Sequence, residues 1–175
     1  MSLPVVGRAH EAGAGPGPFV WFLYGSSLDR SAFTAWAEQH GYRLPDFGRA
    51  VPARLSNFRL SFDVESRFWQ GTVASLREAP GDSVEGIALP LPAEARGLVD
   101  HKEGAISGLY VPFRAPVDPL SGGPPIEALI YRAAEERRLP AERAPSPTFV
   151  AALLRGGAEW GLSMEYRNRL AALAP

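Results

Sequence analysis

Phe19 to Tyr24 (FVWFLY) carries no charged side chain and is closed by Gly25. A run that short and that continuous suits a strand, and with no polar face it has to be covered on both sides, which places it in the middle of a sheet. A helix is expected to follow. Asp29 or Ser31 can cap its start, Phe33, Trp36, Ala37 and His40 recur at helical spacing, and Gly41 stands where a left-handed residue ends a helix.

Downstream, Ala53 to Phe62, Gly71 to Leu76 and Val84 to Leu91 read as strands, the last two separated by a Pro80-Gly81-Asp82 turn. Pro92, Ala93, Ala95, Leu98 and Val99 suggest a short helix that breaks at Glu103-Gly104 before a strand from Ser107 to Phe113. A Pro- and Gly-rich loop, Pro116 to Pro125, leads to a strand at Ile126 to Arg132. Ser146-Pro147 opens a helix that Gly156-Gly157 should end, and Leu162 to Leu173 repeats apolar residues at helical spacing. One strand, one helix, then consecutive strands with helices at the end predict an α+β domain over 19–175. Its sheet should be mixed, mostly antiparallel and curled into a small barrel with flanking helices.

Residues 1–18 hold little that could be buried and are expected to form a flexible tail. The GAGPG run there is no phosphate loop, because Pro16 and Pro18 offer no amide and no strand precedes them. A net charge of -1, from 18 basic and 19 acidic residues, leaves no basic stripe for nucleic acid. With no Cys, and with His10, His40 and His101 at no ligand spacing, neither a metal nor another cofactor is expected. No stretch is apolar enough for a signal peptide or a membrane span, so a cytoplasmic protein is expected, and a homodimer is compatible with the sequence.

The residues left for chemistry are carboxylates, hydroxyls and amides. Tyr24, Gly25, Ser26 and Ser27 lie where a buried strand gives way to a helix. Their amides can converge on an anion, although the same residues also make an ordinary capped turn. Glu103 at a helix-to-strand junction is either a solvated loop residue or an acid-base group, with Asp100 its nearest rival. Tyr110 and Tyr131 on strands are more often core or rim aromatics than ligand contacts.

Four ordered blocks decide among these readings. FLYGSSL, WQGTVASLREAPGDSVEGIALPL, LVDHKEGAISGLYV and APSPTFVAALLRGGAEWGLSMEYRNRL together resemble the gamma-glutamylcyclotransferase family, with its YGSN loop, PGD-x-V-x-G, LD-x-x-EG, SG-x-Y and GLP-x-x-Y stretches. The resemblance implies that Tyr24, Gly25, Ser26 and Ser27 grip a gamma-glutamyl moiety, that Glu103 is the acid-base residue, and that Tyr110 and Tyr131 line the pocket. It further implies a small-molecule gamma-glutamyl substrate and release of 5-oxoproline; the long Pro116 to Pro125 loop is where specificity for the leaving group is expected. Two positions depart from the pattern: Ser27 replaces the family's Asn, and Ser163 replaces its Pro. The first leaves open a non-catalytic relative that keeps the barrel as a ligand-binding module.

Overall fold

The computed structural model describes residues 10–11 and 17–174. Its strands are β1 (His10–Glu11), β2 (Phe19–Leu23), β3 (Val51–Ser66), β4 (Gly71–Leu91), β5 (Tyr110–Pro119) and β6 (Ile126–Ala133). Strands β5, β3, β4, β2 and β6 pair in that order, and β6 pairs again with β5, which closes a barrel. The fold is the expected α+β one. Strand β2 runs antiparallel to β4 and parallel to β6, with Trp21 opposite Leu89 on one side and Leu129 on the other. Its continuous apolar composition follows from that central place, where Trp21, Phe22 and Leu23 are almost wholly buried.

The β3–β4 hairpin differs from expectation. Chain reversal falls at Arg67 to Gln70, and β4 runs unbroken through Pro80-Gly81-Asp82. The reason lies in the pairing: Leu76 opposite Leu60 and Val84 opposite Leu55 both face β3, so β4 does not turn back between them. The extra residues bulge across from Asn57, where Gly81 (φ 87) and Asn57 (φ 65) are both left-handed and Gly81 N donates to Asn57 Oδ1 at 3.2 Å. A second shift in register, between Ser61 and Val64, carries the buried Asp63. There Arg77 and Arg138 donate to its carboxylate, fixing the end of β3.

Among the described residues four α-helices flank the barrel: α1 (Arg30–Gln39), α2 (Arg96–Lys102), α3 (Pro147–Glu159) and α4 (Met164–Ala171). Asp29 caps α1 by accepting from Ser31 N, and Ser146 caps α3 by accepting from Phe149 N. Helix α3 does not stop at Gly156-Gly157. It continues to Glu159, and the left-handed residue after it is Gly161 (φ 67). The expected Pro116 to Pro125 loop is shorter too, since Pro116 to Pro119 belong to β5 and pair with β6 and β3. Among the described residues no helix is long and apolar enough to cross a membrane.

Ser163 accounts for its own departure from the family pattern. It caps α4, and its N–H and Oγ both donate at 2.8 Å to the buried Glu85 carboxylate. Burial pushes Glu85 up, but hydrogen bonds from Arg54 and Ser163 outweigh it and hold the carboxyl below its usual range. A proline there would supply neither donor. Ser163→Ala should therefore lower stability by about 1–2 kcal/mol and leave turnover unchanged, as a melting curve and a rate assay would check.

The expected tail, residues 1–18, falls largely outside the described residues; within its described part, His10 and Glu11 pair opposite Arg114 and Phe113. We propose that residues 1–18 are dispensable for folding. Removing them should shift the melting temperature by no more than about 2–4 °C, the equivalent of ~1 kcal/mol in a domain this size.

Candidate active site

A cavity of about 380 Å³ opens where the end of β2, the turn after it, the β3–β4 hairpin and the end of α2 meet. Tyr24, Gly25, Ser26, Ser27, Glu103 and Tyr110 all line it, so six of the seven expected site residues share one wall system. Tyr131 does not. It is wholly buried behind the site, where its hydroxyl donates to Asp100 Oδ1 and its carbonyl accepts from the Tyr24 hydroxyl.

The turn is built as a strand end feeding a short helix. Ser26–Leu28 form a single 3₁₀ turn held by Leu28 N to Gly25 O at 3.1 Å and Asp29 N to Ser26 O at 3.0 Å. Its first amides, those of Ser26 and Ser27, have no acceptor among the described residues, as the open end of any helix requires. Asp29 ties the turn to α3 through Arg155, whose Nε and Nη2 donate to Oδ2 at 3.0 and 2.8 Å.

Glu103 follows the last residue of α2, and Gly104 behind it (φ 69) lets the chain leave the helix sharply. Trp21 Nε1 on β2 donates to Glu103 Oε1 at 3.0 Å, which fixes the carboxyl toward the barrel end. Burial is the largest influence on this group. It outweighs the lowering effect of Lys102 and of the Trp21 hydrogen bond and pushes the pKa up to about 7. The rival Asp100 is committed elsewhere, accepting from Tyr131 and, at 2.9 Å, from Arg96 Nε.

Tyr24 and Tyr110 have their pKa values driven up mainly by burial, so both stay neutral phenols. Their protons are already given to backbone carbonyls, Tyr24 to Tyr131 and Tyr110 to Ala74 at 2.7 Å. What they offer a ligand is lone pairs and ring edges. Trp21, Lys102, Arg67 and Trp69 also belong to the site or support it, although the sequence suggested no role there for any of them; Trp21, Arg67 and Trp69 reach it through tertiary placement, and Lys102 through its place beside Glu103. None of residues 116–125 lines the cavity; the hairpin residues Ser66, Arg67 and Trp69 do.

At this end of the barrel a part-buried carboxyl, Glu103, and the open amides of the Ser26–Leu28 turn line one cavity. Residues 83–170 match the AIG2-like family. Gamma-glutamylcyclotransferases of Bos taurus and Homo sapiens are each 30% identical over 161 residues, covering 90% of this chain and 79% of theirs. A solved gamma-glutamyl cyclotransferase superposes with a TM-score of 0.75 at 28% identity, covering 90% of this chain and 89% of that one. The chain belongs to the gamma-glutamylcyclotransferase family of enzymes, of AIG2-like type.

Proposed function

We propose that the protein releases 5-oxoproline and a free amine or amino acid from gamma-glutamyl compounds, with Glu103 as general acid-base. The observation that carries this is Glu103 itself, a cavity carboxyl oriented by Trp21 and raised to about 7 by burial, so that it can take and return a proton near neutrality.

The reaction needs no nucleophile from the enzyme. The substrate's own α-amine attacks the γ-carbonyl, forming the ring C–N bond, and the amide C–N bond to the leaving group then breaks. Glu103 accepts the amine proton and delivers it to the departing nitrogen, so the enzyme ends as it began. Folding the substrate into the cavity makes the attack intramolecular, and the open Ser26 and Ser27 amides are available to the oxyanion. Ser27 in place of Asn keeps a short hydroxyl at this wall.

Measuring 5-oxoproline from a panel of gamma-glutamyl amino acids and gamma-glutamyl amines tests the reading. Release from at least one member supports it. A parent protein inert on the whole panel, yet still binding gamma-glutamyl compounds, would make it a ligand-binding relative instead.

A further inference from the structure

Lys102 ends α2 immediately before Glu103 and lines the same cavity. Its ammonium stands over the faces of Trp36 and Phe33, 5.3 and 5.9 Å from the ring centroids. Among the described residues it forms no ion pair. Burial lowers its pKa, partly offset by Glu103. A half-buried cation held over aromatic faces, with no ion pair and with its charge balanced only in part by Glu103, can receive an anion in the cavity it lines.

The neighbouring base indicates which anion. In a gamma-glutamyl substrate the attacking amine and a carboxylate sit on the same carbon, so a base holding the amine brings that carboxylate close by. Lys102 is adjacent to that base in the chain. Arg67, the cavity's other cation, is exposed on the β3–β4 hairpin turn, where solvent screens it. Building on the gamma-glutamyl reading, we propose that Lys102 binds the α-carboxylate of the gamma-glutamyl moiety and so restricts the enzyme to acyl groups that carry a carboxylate on the amine-bearing carbon.

Three substrates separate this from its rivals: gamma-glutamyl-alanine, gamma-glutamyl anilide, and 4-aminobutanoyl anilide, which lacks the α-carboxylate and closes to 2-pyrrolidinone. For Lys102→Met, kcat/KM on both gamma-glutamyl compounds should fall about 30-fold or more, mainly through KM. On 4-aminobutanoyl anilide, with both proteins compared at a pH above the acidic limb, the fall should be several-fold smaller. Because Lys102 holds the Glu103 carboxyl down, the acidic limb of the pH profile should also move to higher pH, a response that lost packing alone would not give. Lys102→Arg should restore part of the discrimination.

A thermal-shift comparison of 5-oxoproline with 2-pyrrolidinone reads the same contact without turnover. The parent should be stabilised more by the acid, and Lys102→Met should lose that difference. A defect confined to gamma-glutamyl-alanine would mean that Lys102 reads the leaving group, and full discrimination retained in Lys102→Met but lost in Arg67→Gln would move the role to Arg67. Either result overturns the proposal. A parent that shows the acid-selective shift but no turnover would sink the reaction while leaving the Lys102 contact standing.

Discussion

Glu103→Gln is expected to reduce kcat roughly 100- to 10,000-fold while substrate affinity survives. Glutamine keeps the shape and can still accept from Trp21 Nε1, so the loss isolates proton transfer. The same substitution should alter stability in a direction fixed by linkage. In the folded parent Glu103 titrates at about 7, above its ordinary value of 4.5, so the folded state holds its proton more tightly than the unfolded chain does. Its contribution is therefore fully present below about pH 4.5 and is lost as pH rises through 7. Glutamine has no proton to lose. Near pH 8 the variant should be more stable than the parent by roughly 2–3 kcal/mol, water in the cavity trimming the upper figure, and the gap should vanish near pH 4. A variant with parental kcat would remove Glu103 as the base, whereas equal melting temperatures at pH 8 would show that the carboxyl is not desolvated. Asp100→Asn is the control: with its carboxylate engaged by Arg96 and Tyr131, it should weaken that strut and spare the chemistry.

The strand at Phe19 could be read from the sequence because an uninterrupted apolar run has one comfortable environment, and the caps at Asp29 and Ser146 because short oxygen-bearing side chains before an apolar period have a local partner. The turn at Tyr24 to Ser27 and the break at Glu103-Gly104 were legible for the same local reasons, and the family blocks supplied their joint meaning. What stayed hidden depended on partners far along the chain. Pro80-Gly81-Asp82 has the composition of a reversal, and only the shared neighbour β3 turns it into a bulge. Tyr131 was expected on the pocket wall from the family blocks, yet its side chain is wholly buried and spends its hydroxyl on Asp100, a partner 31 positions away. The Trp21 bond to Glu103 spans 82 positions, a distance at which spacing carries no information.

Gly156 and Gly157 look alike in the sequence, as helix enders, and the packing of α3 gives them opposite consequences. A Cβ at Gly156 would stand 2.5 Å from Leu28 Cβ, 2.6 Å from Leu28 C and 2.8 Å from Asp29 N, so two of the three clashes are with backbone that cannot swing aside. Alanine there must push α3 off the turn that carries Ser26 and Ser27. Gly156→Ala should therefore cost about 3 kcal/mol or more, the upper range for overpacking, despite alanine's better helix propensity. The displaced turn should also lose activity, since misplacement by about 1 Å can reduce rate 100-fold. At Gly157 the nearest atoms to an added Cβ are Arg167 Cγ at 3.4 Å, Leu162 Cδ1 at 3.7 Å and Arg167 Cδ at 3.8 Å, all side-chain atoms at ordinary contact distance. Gly157→Ala should be neutral or stabilising by up to about 1 kcal/mol, with parental turnover. Chemical denaturation and 5-oxoproline release on the two variants decide the matter. If Gly156→Ala proved as stable and as active as Gly157→Ala, α3 would not seat the turn, and the link from helix packing to the geometry of Ser26 and Ser27 would have to be given up.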